Sequence, residues 1–181
     1  MTVAAWNDSE YVDATITAGT FQIEGSTTSP TTGYADHPLA NAPTTLTFSA
    51  PVTAITPGTT VYSSFYVRTK ATSVAGTITM QTPTFAAGST GLQSSLTYGV
   101  RLLTSAQTCN AAAFTPTPLG TTIVAQATAL SATITAPAPV ITAAGGAVHQ
   151  YCFALTLPGT ADNTAQGLAA VPNWQFLATA T

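Results

Sequence analysis

The side chains that could perform catalysis are few and widely separated in this sequence. The two histidines, His37 and His149, lie far apart, and neither begins a His-Glu-x-x-His motif, the pattern that places two zinc ligands and a general base on one helix. The sequence also contains neither a Gly-x-Ser-x-Gly nucleophile elbow nor a glycine-rich phosphate loop. We interpret His37 as a surface-loop residue and His149 as a strand-edge residue, and we expect no enzyme, no metal and no cofactor.

Three of the acidic residues, Asp8, Glu10 and Asp13, cluster near the N-terminus. Carboxylate oxygens are the ligands that calcium prefers, but such a cluster is more often the solvated face of a strand, and we interpret it so. The other three acids are scattered along the chain: Glu24, Asp36 and Asp162. Their spacing gives no indication of the paired carboxylates that hydrolyse glycosides.

The chain has two cysteines, Cys109 and Cys152. A single pair in a chain of this composition predicts one disulfide bond, with two buried free thiols as the alternative. No Cys-x-x-Cys spacing or paired histidine accompanies them, so a zinc site is not expected. Closing a loop of this length stabilises the folded chain by roughly 3–4 kcal/mol in the chain-entropy model.

Charged residues make up only 5% of the 181 residues, against about 25% in typical soluble domains. The basic residues are Arg68, Lys70 and Arg101, too few to form the cation clusters that bind nucleic acid. No apolar stretch reaches the length of about 18 residues that would span a bilayer. We expect one domain that binds no nucleic acid and does not cross a membrane. The small residues Val3-Ala4-Ala5 are typical of a cleavage site, so we expect the mature chain to begin near Ala5.

Apolar and polar residues alternate along most of the chain, whereas helical periodicity barely appears. The segments with this alternation are predicted strands: 12–18, 21–23, 45–49, 61–69, 77–80, 96–102, 151–157 and 174–179. Segment 122–136, rich in alanine and threonine, fits one long strand, a strand and a loop, or a short helix. Thr56-Pro57-Gly58-Thr59 predicts a type II turn. Short strands joined by such turns indicate an all-β, antiparallel β-sandwich. Jelly-roll and immunoglobulin-like arrangements both fit, and the pattern does not give the strand order.

One predicted strand, 61–69, carries Tyr62 and Tyr66 on the face opposite its apolar side chains. An exposed row of tyrosines is typical of a surface that binds sugars or a protein partner. The alternative is that a loop or the second sheet covers both faces of this strand.

A short polar opening, Ala4-Ala5-Trp6-Asn7-Asp8, leads into Asp13-Ala14-Thr15-Ile16-Thr17-Ala18-Gly19-Thr20-Phe21, where a glycine separates two alternating runs. Farther along, Ile55-Thr56-Pro57-Gly58-Thr59-Thr60-Val61-Tyr62 is a Pro-Gly turn that feeds a strand. The C-terminal part contains Leu157-Pro158-Gly159 and Trp174-Gln175-Phe176. In this order, these parts resemble the TasA/camelysin family, the secreted subunits of bacterial surface fibres that a dedicated signal peptidase processes.

The resemblance implies a jelly-roll domain over residues 18–181, preceded by a donor strand within residues 1–17. In this family the N-terminal segment is thought to leave its own domain and to pair with the next subunit. The residues that the resemblance assigns to this role are Ala5, Trp6, Asn7, Asp8, Val12, Ala14 and Ile16. Three of them, Val12, Ala14 and Ile16, would fill pockets while the backbone completes a ladder by β-augmentation. Self-complementation, in which the segment folds into its own domain, is the competing arrangement.

The function that the resemblance implies is a structural subunit of an extracellular, biofilm-matrix or cell-surface filament. Its main partner would be a second copy of itself, with other matrix proteins or surface glycans as further partners. The alternative is a monomeric surface adhesin or carbohydrate-binding module, which predicts an exposed aromatic strip and no self-assembly. Camelysin-like proteins have also been classed with metallopeptidases. A secreted hydrolase of that kind would require His37 or His149 to converge with carboxylates.

Overall fold

The structure is a computed structural model that describes residues 8–181. Ala5, Trp6 and Asn7 of the expected donor segment lie outside the described residues. The described part is nearly all β, with these strands: β1 Ile23–Ser26, β2 Thr60–Thr69, β3 Gly76–Met80, β4 Thr84–Phe85, β5 Thr97–Leu103, β6 Thr121–Ala129, β7 Val140–Ile141, β8 His149–Thr156, β9 Pro172–Asn173 and β10 Phe176–Ala180. Three single-turn 3₁₀ helices occur in the connections: Leu92–Ser94, Ala111–Ala113 and Asn163–Ala165. No helix within residues 8–181 is long and apolar enough to cross a membrane.

Two antiparallel sheets make up the sandwich. One has the order β1-β2-β8-β5-β6 and the other the order β10-β3-β7, while β4 and β9 form a separate two-stranded ribbon. The chain crosses between the two large sheets after β2, β3, β6, β7 and β8, so most hydrogen-bonded neighbours come from distant parts of the sequence. The all-β, antiparallel sandwich predicted from the sequence is confirmed, and its interleaved order is of the kind that jelly rolls have.

The core lies between the two sheets, where the alternation of each strand turns one set of side chains inward. Val61 of β2, Val100 of β5 and Phe153 of β8 pack in one cluster with Ile78 and Met80 of β3, and each is at most 2% exposed. The predicted turn before β2 is also confirmed, because the Thr59 amide donates to the Thr56 carbonyl at 3.1 Å.

The predicted disulfide is present and joins Cys109 to Cys152, with 5.3 Å between the two Cα atoms. Cys152 lies on the outer face of β8, so the bond fastens the connection between β5 and β6 onto the outside of the larger sheet. Leu103, Phe114 and Ala154 are buried around it and form a second, smaller apolar cluster. A disulfide of this kind is typical of an oxidising compartment.

The predicted strand 12–18 is wrong as an element of this domain. Its residues form no strand, and every residue from Asp8 to Thr20 is exposed. The alternation identifies a segment that can pair with a strand edge, but no edge within residues 8–181 lies beside it. Backbone hydrogen bonding to the rest of the domain begins at Thr20, whose carbonyl accepts from the Val74 amide at 2.9 Å.

The predicted strand 45–49 is also wrong as a regular strand, although Leu46 and Phe48 turn inward as the pattern predicts. The segment runs beside β2, and the Ser49 amide donates to the Tyr62 carbonyl at 2.7 Å. The Ser49 and Ser63 hydroxyls make other contacts between the two segments. Side-chain hydrogen bonds therefore replace part of the ladder.

Segment 122–136 contains β6 and the loop after it. Ile123 is buried within β6, and Ile134 packs against the core from the loop. The register between β5 and β6 shifts twice, and Ala127 has a φ of 65°, the conformation of a bulge. The strands β4, β7 and β9, of two residues each, were not predicted because so short an element carries no alternation.

Candidate functional site

The exposed N-terminal segment is the largest concentration of unburied apolar side chains in the described residues. Tyr11, Val12 and Ile16 are 95%, 97% and 93% exposed. A folded chain of this size gains stability by burying such side chains, and within residues 8–181 these three remain unburied. Ala14 and Asp8, the other described members of the expected donor set, are exposed as well.

The same segment carries the whole net charge of the protein. Of six acidic residues, three lie in the stretch from Asp8 to Asp13, and the remaining three are balanced by the three basic residues. The net charge of -3 therefore resides in this segment, and the part from residue 18 onward has a formal charge of zero. The segment remains solvated through its carboxylates although its alternate side chains are apolar.

An apolar cleft opens between the two sheets on the side where β1 and β10 lie. It comprises two adjoining cavities, with volumes of about 700 Å³ and 450 Å³, that share the side chains of Phe65, Trp174 and Phe176. These rings are in contact with the core: the Phe65 and Phe176 centroids are 5.3 Å apart, and those of Phe153 and Trp174 are 5.0 Å apart. The cleft thus exposes the edge of the aromatic core.

Two ion pairs lie at the polar rim of the larger cavity, which Glu24, Asp36 and Lys70 line. Arg68 Nε lies 2.7 Å from Glu24 Oε1, and Lys70 Nζ lies 2.6 Å from Asp36 Oδ2. Both carboxylates that line the cavity are therefore paired with a cation. The remaining rim is neutral, and the Trp174 indole nitrogen has no hydrogen-bond partner within the described residues although it is buried.

The aromatic strip considered on β2 is only partly exposed. Tyr62 packs against Phe114 of the disulfide-fastened connection, with ring centroids 5.9 Å apart, and burial raises the pKa of its hydroxyl. Tyr66 is half-buried, and the neighbouring Arg68 guanidinium lies 3.8 Å from the centroid of the Tyr34 ring. A loop thus covers much of this face, which is the second of the two alternatives.

The two histidines lie in different environments. His37 is an exposed loop residue on the rim of the cleft, as predicted. His149 begins the central strand β8 instead of lying on an edge strand, and burial lowers its pKa, an effect that a hydrogen bond with the Val140 backbone partly opposes. No group of three or more metal-ligating side chains forms within residues 8–181.

The cleft residues were not singled out from the sequence. Phe65 and Phe176 were predicted as members of alternating strands, and Trp174 as the start of the last one, but alternation does not say which part of a core is left open.

The chain matches no protein-family model and no curated protein.

Proposed function

We propose that this protein is a structural subunit of an extracellular or cell-surface filament, which assembles when the N-terminal segment of one copy pairs as a strand with the next copy. One observation carries the proposal: the segment leaves Val12 and Ile16 almost fully exposed in a chain that also has an open apolar cleft. Donor and acceptor properties thus occur in one molecule.

Burial of the segment supplies the driving force. Covering a valine or isoleucine side chain contributes about 1.5–3 kcal/mol relative to leaving it in water, and the added backbone hydrogen bonds satisfy an open sheet edge. Because the donor and the acceptor are different surfaces, the contact is heterologous. Such contacts repeat from copy to copy and generate an open filament unless the rotation closes a ring.

The surroundings in which the protein would act follow from the same features. The Cys109–Cys152 disulfide favours an oxidising, extracytoplasmic location. A chain with only three basic residues and abundant hydroxyl groups suits a matrix protein that contacts its own copies. We assign the chain no catalytic role, because the conclusion rests on assembly and not on a reacting group.

Negative-stain electron microscopy tests the proposal directly. The chain beginning at Ala5 is compared with one that lacks residues 5–17. We expect filaments from the first and monomers from the second, and the second should remain folded because the described residues removed are exposed. Dispersed monomers from both would overturn the proposal.

Point variants test whether assembly requires the apolar side chains of the N-terminal segment and not only its length. The double variant Val12→Asp/Ile16→Asp should lose filaments, because two carboxylates cannot enter an apolar cleft unpaired. The matched control is Val140→Asp on β7, which is also highly exposed, at 64%, but lies outside the segment and the cleft. Equal assembly of the double variant and the unmodified chain would contradict the role of these side chains.

A monomeric adhesin or carbohydrate-binding module is the second candidate. The observation that favours it is the unpartnered Trp174 indole nitrogen beside the cleft, since tryptophan rings combine an apolar face for stacking with a polar donor. A glycan array probed with the chain that lacks residues 5–17 tests it. Binding that disappears in Trp174→Ala, together with no filaments from the longer chain, would favour this candidate over the filament.

A further inference from the structure

The four lateral edges of the two sheets differ in how they are protected. Beyond β1, the Gly25 amide and carbonyl already exchange hydrogen bonds of 3.0 Å with Ala35. β7 has only two residues and follows Pro137 and Pro139. β6 is bent by the bulge at Ala127. Bulges, prolines, short strands and covering loops are the devices that keep sheet edges from pairing with other chains.

The fourth edge, β10, has none of these devices. It pairs with β3 in an unbroken register, from Phe176 opposite Met80 to Ala180 opposite Gly76, and its five residues include no proline and no charge. The amide of Gln81 donates to the carbonyl of Gln175 at 2.8 Å. Because antiparallel hydrogen bonds alternate along a strand, the odd-numbered residues of β10 bond to β3.

The amides and carbonyls of the even-numbered residues therefore point to the free side of β10. These residues are Phe176, Ala178 and Ala180. No backbone or side-chain hydrogen bond satisfies them on that side within residues 8–181. The apolar cleft opens beside the same edge, since Phe176 lines both of its cavities.

We propose that the free edge of β10 is the acceptor for the N-terminal segment of a second copy of this chain. This inference rests on the proposed filament function and specifies its interface. The incoming strand would extend the three-stranded sheet to the order donor-β10-β3-β7. Its backbone would take the hydrogen bonds that β10 leaves open, and its apolar side chains would enter the cleft.

The alternation of the two partners matches across this interface. On β10, Phe176 and Ala178 face the core, whereas Leu177 and Thr179 face outward, and Leu177 is 53% exposed. An added strand follows the same pleat. Val12, Ala14 and Ile16 then lie on the cleft side, and the odd-numbered residues of the segment, among them Asp13 and Thr15, lie in solvent beside Leu177. A slip by one residue would place a carboxylate in the cleft.

Length and charge also fit this occupant. Residues 8–17 in extended form span about 33 Å, against about 17 Å for the five residues of β10. The acidic segment meets no uncompensated negative charge, because Glu24 and Asp36 at the rim are each paired with a cation.

A second copy fits better than the segment of the same chain. The segment leaves its own domain at Thr20, which forms a bridge with Ser73 in the turn between β2 and β3. In the single chain every residue from Asp8 to Ala18 is exposed, so the segment does not lie along β10 of its own domain. The edge is therefore free to receive the segment of another copy.

Disulfide trapping in the assembling chain tests this interface. Leu177→Cys is combined in turn with Asp13→Cys, Thr15→Cys or Thr17→Cys, in the chain beginning at Ala5, and the products are oxidised and separated without reductant. We expect one pair to give a ladder of covalent oligomers, whose linked peptides are identified by mass spectrometry. The matched control replaces Leu177→Cys with Ala125→Cys, an exposed residue on β6, and should give no ladder.

The outcomes distinguish this inference from the filament itself. Filaments without a Leu177-dependent ladder would place the acceptor elsewhere and overturn the β10 inference while leaving the proposed function intact. A cross-link confined to the monomer would show self-complementation and overturn the second copy as occupant. If the unmodified chain forms no filaments and no ladder, both proposals fail.

A proline variant gives a second, independent measurement. Ala178→Pro removes an amide hydrogen that faces the free side of β10 and not the ladder to β3. We expect the monomer to remain folded by circular dichroism and the filaments to be lost. Undiminished filament formation by a folded Ala178→Pro chain would overturn the inference.

Discussion

The Arg101 guanidinium donates from Nε to the carbonyl oxygen of Leu119 at 2.7 Å and thereby fixes the end of the disulfide-fastened connection to β5. Its Nη2 donates to the carbonyl of Gly120 at 2.8 Å, and its Nη1 bonds to the Thr122 hydroxyl. The side chain is almost buried and has no carboxylate partner among the described residues. Burial lowers the pKa of Arg101, yet three oxygen acceptors keep the cation satisfied.

Arg101→Met should therefore destabilise the protein by about 2–3 kcal/mol, because two backbone carbonyls lose a charged donor. Urea unfolding followed by circular dichroism measures the loss. The control is Arg68→Met, which removes a partly exposed ion pair with Glu24 and should cost less than about 1 kcal/mol. Equal losses for the two variants would contradict this account of Arg101.

Removing the disulfide should lower stability by about 3–4 kcal/mol, since the bond closes a loop with a sequence separation of 43 residues. The double variant Cys109→Ala/Cys152→Ala and the unmodified chain in reductant should show the same shift in the urea midpoint. An unchanged midpoint in reductant would mean that this bond does not constrain the unfolded chain.

Stability should fall as the pH drops from 7 toward 5, in part through His149. Burial holds the pKa of His149 below its ordinary value of 6.5, so the unfolded chain takes up a proton that the folded chain refuses. The stabilising effect is complete above pH 6.5 and is lost as the pH falls toward the folded-state pKa. His149→Gln should therefore show a shallower decline in melting temperature over this range. Parallel curves for the two proteins would exclude His149 as the cause.

Trp174 offers an optical report on the cleft. The chain has two tryptophans, so Trp174 is the sole tryptophan in Trp6→Phe, whose filament formation is first checked by microscopy because Trp6 belongs to the expected donor set. If a donor strand fills the cleft, Trp174 emission should shift to shorter wavelength and become less sensitive to acrylamide when the chain assembles. The folded Ala178→Pro version of the same variant is the control and should show neither change. Filament growth with unaltered Trp174 emission would indicate that the cleft stays open.

The strongest sequence patterns gave correct elements where a strand is long and buried on one side. In β2, the alternation turns Val61, Phe65 and Val67 inward, with Val61 and Val67 buried and Phe65 partly buried beside the cleft. The turn before it follows from Pro57 and Gly58, whose φ of 86° suits glycine. Local patterns of this kind are determined by the residues themselves, so they could be predicted from the sequence.

Other features depend on contacts that no local pattern encodes. The segment 12–18 alternates as well as β3 does, but only the neighbours of a segment decide whether it becomes a strand. The bulge at Ala127 places the Gln126 backbone so close to Gly99 that a Cβ there would lie 2.8 Å from the Gln126 Cα. Strand order and the position of the cleft likewise arise from which faces meet. For this reason, the sequence predicts the segment that we propose as the donor, whereas the edge and cleft that we propose as the acceptor could not be predicted from it.

Because Ala127 bends β6 out of a regular ladder, this long edge of the larger sheet offers no straight strand to a neighbour. Loop 30–35 protects the β1 edge from pairing, and Pro137 and Pro139 protect the β7 edge. Under the proposed assembly, each subunit therefore makes two contacts: its N-terminal segment pairs with one neighbour, and its free β10 edge binds the segment of another. Growth is then confined to a single line, without branches or lateral sheets, so filament mass would increase by length alone.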